Sequence, residues 1–95
     1  MILRFADVTL DDETRELVRN GASVRVEPQV FDLIRFLASN PDRVITLDEI
    51  LDAVWDGRAV SDAAVASRIN AARKALGDNG TDQRVIRTVR GRGFR

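Results

Sequence analysis

Apolar side chains recur along this chain in two different periods. Residues 2–10 (Ile-Leu-Arg-Phe-Ala-Asp-Val-Thr-Leu) alternate loosely and predict a strand, with a turn after them at Asp11-Asp12-Glu13. Residues 15–19 and 22–27 flank Asn20-Gly21, a pair that accepts positive φ at both centres of a two-residue hairpin turn. An opening antiparallel sheet of three or four strands follows from this. From Pro28, a favourable first-turn residue, the period becomes helical: Val30, Leu33, Ile34 and Leu37 share one face, and Asn40-Pro41-Asp42 stops the helix. Val44-Ile45 reads as a short extended piece. Thr46 with Glu49 three residues on is a capping-box pattern, and Leu47, Ile50, Leu51 and Val54 give the second helix its apolar face. Trp55, closing that face before Gly57, is read as core rather than as a stacking platform for a ligand. The third helix is predicted over 61–76. Ser61 or Asp62 caps it, Val65, Ile69, Ala72 and Leu76 form a narrow buried stripe, and Gly77 stops it.

After a polar loop at 78–82, the residues 84–95 read as a hairpin. Val85, Ile86 and Val89 are β-branched, Gly91 and Gly93 permit a tight reversal, and Arg87, Arg90 and Arg92 crowd cations around the tip. The order of elements predicts an α+β fold: an N-terminal antiparallel sheet, three helices and a C-terminal β-hairpin wing, which together make a winged helix-turn-helix. Ninety-five residues make one domain, 1–95, with no internal repeat or linker.

Charge changes the picture. The net charge is zero, yet residues 1–57 carry 6 arginines against 12 acids and residues 58–95 carry 9 basic residues against 3 acids. The basic half ends in the hairpin, and fourteen of the fifteen basic residues are arginine, the side chain best matched to phosphate and guanine edges. Taken alone, this distribution fits either a nucleic-acid surface or a solvated charged face. No apolar run approaches the roughly 20 residues of a membrane span. With no Cys, disulfides and thiolate metal sites are excluded. The absence of His removes the commonest general base and metal ligand, and there is no Tyr. Asp48 and Glu49 are adjacent on a helix and do not face one another. No enzyme activity, cofactor, metal or small-molecule substrate is expected.

Stepping 100° per residue around the third helix, with its stripe inside, turns Ala63, Ser67, Asn70, Ala71 and Lys74 outward and sets Arg68 and Arg73 on the flanks. Small residues permit close approach to a major groove, where Asn70 can pair with an adenine edge and Ala71 can touch a thymine methyl. Arg68 and Arg73 are placed to reach phosphates or guanine, and Ser61 with the free N–H groups of the helix start can bind a phosphate. The plainer alternative is an alanine-rich, solvated helix surface.

The residues Glu27 to Ile34, Leu51 to Trp55, Val65 to Leu76 and Ile86-Arg-Thr-Val-Arg-Gly-Arg-Gly-Phe94 together resemble the winged helix-turn-helix DNA-binding domains of the OmpR/PhoB type. Ser67 to Arg73 and Arg92-Gly93-Phe94 look most like its CadC/ToxR-like branch. The resemblance spans nearly the whole chain. It implies sequence-specific binding of double-stranded DNA by a bacterial transcription regulator in signal transduction, with helix 61–76 in the major groove and wing 84–95 at the minor groove. Carried over by position, groove-facing roles fall on Ser67, Arg68, Asn70, Ala71 and Arg73, a phosphate contact on Thr88 and a minor-groove contact on Arg90. Lys74 and Arg92 join these as candidates from the residue reading. The resemblance also implies an RNA polymerase contact through loop 56–60 and a head-to-tail homodimer on direct repeats. It further implies a cytoplasmic location and a place as the N-terminal domain of a longer protein, with room for a membrane anchor in a later segment. Two positions depart from the family's pattern: Leu47 and Ala71 stand where arginines are common. The rival reading is a winged-helix protein-interaction module working through the acidic half and loop 56–60. An apolar patch on the third helix and the wing would favour it.

Overall fold

The computed structural model describes residues 2–58, 60–78, 80–83, 85–89 and 92–95. Four strands open it, β1 (Ile2–Phe5), β2 (Val8–Asp11), β3 (Glu16–Arg19) and β4 (Ala22–Val24), each antiparallel to the next in chain order. Asn20 and Gly21 take φ of 52° and 77°, as their side chains allow, and make the β3–β4 turn. The single strand expected over 2–10 is instead a hairpin. Phe5 pairs with Val8, and Ala6 turns the chain at φ 49°. The apolar phase carries the reason. Leu3 and Phe5 occupy odd positions, while Val8 and Leu10 occupy even ones. A continuous strand would send the two pairs to opposite faces. Folding back at Ala6-Asp7 sets Leu3 opposite Leu10 and Phe5 opposite Val8, and all four share the inner face with Leu17 and Val24. Val8, Leu10 and Leu17 are fully buried there.

Three helices follow: α1 (Pro28–Ala38), α2 (Leu47–Trp55) and α3 (Asp62–Ala75). Pro28 opens α1 without giving up a helical hydrogen bond. Thr46 and Glu49 form the predicted capping box, Thr46 Oγ1 accepting from Glu49 N at 3.2 Å and Glu49 Oε1 accepting from Thr46 N at 3.2 Å. Arg43 Nη1 lies 2.6 Å from the other Glu49 oxygen. These contacts, the Arg43 hydrogen bond first and the Thr46 amide next, hold the Glu49 carboxyl below its ordinary value. Asp56 and Gly57, both at positive φ, terminate α2.

α1 packs against both α2 and α3 and touches β1. Leu33 and Ile34 of α1 share a single core with Ile45, Ile50, Trp55, Val65, Ile69, Ala72 and Leu76. Trp55 is core, as its position predicts. The sheet is fastened to α1 from outside. The Arg15 guanidinium lies 4.4 Å over the Phe31 ring and donates to Asp32 Oδ1 at 2.9 Å, and Arg35 Nε lies 2.6 Å from Asp12 Oδ1.

The wing strands β5 (Thr88–Val89) and β6 (Gly93–Phe94) are shorter than the hairpin expected over 84–95. The ladder starts at Arg87, which exchanges two 2.9 Å backbone bonds with Arg95. Val85 and Ile86 do not join it. Asp78, expected in a solvated loop, is only 6% exposed, and its Oδ2 accepts from Val85 N at 2.8 Å and Ile86 N at 3.1 Å. A buried carboxylate thus takes the amides that a longer strand would have used. The extended piece at Val44-Ile45 becomes the wing's anchor: Ile45 N donates to Phe94 O at 2.7 Å and Phe94 N to Ile45 O at 2.8 Å. Gly93 stands at φ 152°, and a Cβ there would run into the Ile45 carbonyl. Only glycine permits this approach of the two backbones.

Candidate nucleic-acid interface

α3 starts cleanly because Ser61 Oγ accepts from Ala64 N at 3.1 Å, which satisfies one of the orphan amides of the first turn. Its inward stripe of Val65, Ile69, Ala72 and Leu76 is buried as spaced. Ala63, Ser67, Asn70, Ala71 and Lys74 are all exposed, on the face the helical period assigns them. Ser61 is exposed as well. The set from Ala63 to Lys74 therefore offers one amide, one hydroxyl and one ammonium among alanines, with the carboxylate of Asp62 exposed in the first turn.

The two flanking arginines differ from one another. Arg68 is half-buried and donates through Nε to Gln29 Oε1 in the first turn of α1 at 3.1 Å. Its guanidinium keeps further N–H groups beyond that bond. Arg73 corrects the flank reading. It is 5% exposed, donating through Nε to Ile86 O at 3.2 Å and through Nη2 to Thr88 Oγ1 at 2.8 Å. The helical wheel treats α3 as a free cylinder, and the wing lies against that flank and encloses the side chain. Arg73 is thus placed to brace α3 against the wing rather than to project into a groove. The one signal available beforehand was its spacing from the buried stripe: position 73 directly follows Ala72 and lies four residues after Ile69.

In the wing, Thr88 is exposed, and Gln83 Oε1 accepts from its backbone N–H at 2.9 Å. Arg92 is exposed, and its N–H donates to Val89 O at 3.0 Å to close the turn. The position expected to enter a minor groove, Arg90, lies outside the described residues. Sequence reasoning missed Asp78 and Gln83, whose side chains accept from the amides of Val85, Ile86 and Thr88. An acid and an amide in a polar loop carry no distinguishing local pattern.

Ile2 is the one large apolar side chain described as exposed, at 55%, and it belongs to β1, far in sequence from α3 and the wing. An open groove of about 490 Å³ runs between α1, the end of α3 and the wing root. Its lining is apolar apart from Arg87 and Arg95 and contains no carboxylate, hydroxyl or thiol side chain for acid–base or nucleophilic chemistry. Among the described residues no helix is long and apolar enough to cross a membrane, and no cluster of potential ligands could hold a metal ion.

Residues 21–95 match the family described as "Transcriptional regulatory protein, C terminal". The chain is 39% identical over 94 residues to the phosphate regulon transcriptional regulatory protein PhoB of Rhizobium meliloti, covering 98% of this chain and 41% of that protein. It is 33% identical over 95 residues to the transcriptional activator CadC of Escherichia coli, covering 99% of this chain and 19% of that protein. The chain thus spans less than half the length of these relatives. Among solved structures, the DNA-binding domain of Klebsiella pneumoniae RstA in complex with the RstA box superposes with a TM-score of 0.88 at 28% identity, covering 98% of this chain and 93% of that one. The DNA-binding domain of E. coli CadC gives a TM-score of 0.84 at 33% identity, covering 99% and 89%.

Proposed function

This chain belongs to the transcriptional regulatory family of the OmpR/PhoB type, and from that premise we propose that it binds double-stranded DNA sequence-specifically as the DNA-binding domain of a bacterial transcription regulator. α3 enters the major groove and the wing reaches the adjacent minor groove. The observation that carries this reading is the outer face of α3, where Ser67, Asn70, Ala71 and Lys74 are exposed together beside a wing fastened to the same helix. The RstA relative, solved with the RstA box, supports the same use of the fold. Ser67, Asn70 and Ala71 read base edges, while Arg68 and Lys74 supply charge at the groove walls. Ser61 and the start of α3 take one phosphate and Thr88 another, and Arg90 and Arg92 serve the minor groove. With Leu47 and Ala71 contributing no charge, the wing carries a large share of the affinity.

An apolar patch on α3 and the wing would have favoured the rival reading as a protein-interaction module, and among the described residues the exposed side chains there are small or polar. Contact with RNA polymerase through loop 56–60 and head-to-tail pairing on direct repeats follow from the same reading. A genomic binding selection with the purified domain, followed by footprinting, tests it. A protected site of one repeat or two, with affinity falling as salt rises, is expected. Retention of no DNA at moderate salt rejects it.

A further inference from the structure

Arg73 is nine-tenths buried, and both oxygens it is seen to meet, Ile86 O and Thr88 Oγ1, belong to the wing. A guanidinium has donors only, and a threonine hydroxyl has one proton and two lone pairs. In the 2.8 Å bond the Thr88 oxygen must therefore be the acceptor. Its own proton is left to point elsewhere, and Thr88 lies at the surface. A hydroxyl that accepts from a cation is polarised into a stronger donor. The backbone under it is fixed as well, because Gln83 Oε1 holds the Thr88 amide at 2.9 Å and Asp78 holds the amides of Val85 and Ile86.

We propose that Arg73 is a positioning residue for DNA binding: it aims the Thr88 hydroxyl proton outward, at a backbone phosphate, and sets the angle of the wing against α3. Its effect on DNA passes through Thr88 and not through a contact of its own. This rests on the DNA-binding reading given above and names how one phosphate contact in it is made. It also explains why an arginine serves at position 73. Lysine has no planar fork that reaches a carbonyl and a hydroxyl two residues apart at once.

The test is a double-mutant cycle on one duplex, with Thr88→Val, Arg73→Met and the double variant, each titrated over a range of salt and checked by a thermal melt. Thr88→Val should weaken binding about 3- to 10-fold and lower the log–log salt slope by about 0.9, the value of one phosphate. Its effect should be equal on specific and non-specific duplexes, because a phosphate carries no base information. Arg73→Met should reproduce both changes, the double variant should bind within about twofold of Arg73→Met, and Thr88→Ser, which keeps the hydroxyl, should recover most of the binding that Thr88→Val loses. Losses that multiply in the double variant, or Arg73→Met binding like the parent while Thr88→Val does not, overturn the proposal. If Arg73→Met loses its cooperative melt, the parent decides. Its Arg73 Nε–H should exchange with solvent far more slowly than those of exposed arginines, and equal exchange rates overturn the proposal. A parent that binds DNA while Thr88→Val binds equally well overturns the proposal and leaves the DNA-binding reading standing. A parent that binds no duplex removes the reading beneath it.

Discussion

The sheet with α1 and the pair formed by α3 and the wing are built on different physical terms. In the first, buried Val8, Leu10, Leu17, Phe31, Leu33 and Ile34 make an apolar seam, and charged groups such as Arg15, Asp32, Arg35 and Asp12 close it only from outside. In the second, β5 and β6 are two residues each, and the buried polar side chains Arg73 and Asp78 hold the wing in place by hydrogen bonds to its backbone and to Thr88. Apolar burial is non-directional and tolerates small shifts, whereas hydrogen bonds to particular carbonyls and amides fix an angle. A surface that must meet two grooves at once needs the second kind. The scaffold that carries it needs only the first.

That contrast can be broken or sharpened experimentally. The largest effect is expected in the apolar seam. Leu33→Ala, at a fully buried site, should cost about 2–5 kcal/mol in chemical denaturation, enough to leave a domain of this size barely folded. Next comes the wing's backbone junction. Gly93→Ala forces a Cβ against the Ile45 carbonyl and should cost about 2–4 kcal/mol, with DNA affinity falling as the Phe94–Ile45 bonds are lost. If Gly93→Ala melts like the parent, the wing is not tied to the core as described. Asn70→Ala should separate recognition from stability. It is expected to cost about 1–3 kcal/mol of affinity at one base pair and less than about 0.5 kcal/mol of folding stability. Equal losses on every duplex would show that Asn70 touches backbone rather than a base.

The smallest effect is a pH dependence confined to the start of α2. Glu49 has a folded pKa lowered from its ordinary 4.5 by Arg43 and the Thr46 amide. Its stabilisation is therefore fully present above about that value and fades as pH falls through the lower folded value. Glu49→Gln should flatten the part of the stability–pH curve that falls as pH drops below about 4.5. An unchanged acid limb would show that the box contributes through geometry alone.

Much of the scaffold was readable from the chain. Helical periods placed α1, α2 and α3 to within a residue or two, the Thr46–Glu49 box was visible as a spacing, and Asn20-Gly21 marked its turn. The hairpin at Ala6-Asp7 was hidden because Ala6 is a poor turn former and a lone Asp does not mark a two-residue turn as Asn-Gly does, although the switch of apolar parity between Phe5 and Val8 signalled it. At the interface, the helical period found the exposed face of α3 correctly but treated the helix as isolated. The enclosure of Arg73 by the wing was therefore out of reach.

The sequence by itself determined what short-range periodicity, capping and turn chemistry can determine: the three helices, the β3–β4 turn, the buried stripe of α3 and the outward set from Ala63 to Lys74. Each depends on residues within a few positions of one another. Only the tertiary structure decided that Ile45 would anchor Phe94, that Asp78 would take the amides of Val85 and Ile86, and that Arg73 would turn inward to Thr88. Those pairings join residues between 7 and 49 positions apart. Their partners become neighbours only after the apolar core has brought α3, the end of β6 and the strand before α2 together. Until then each polar group is equally well served by water.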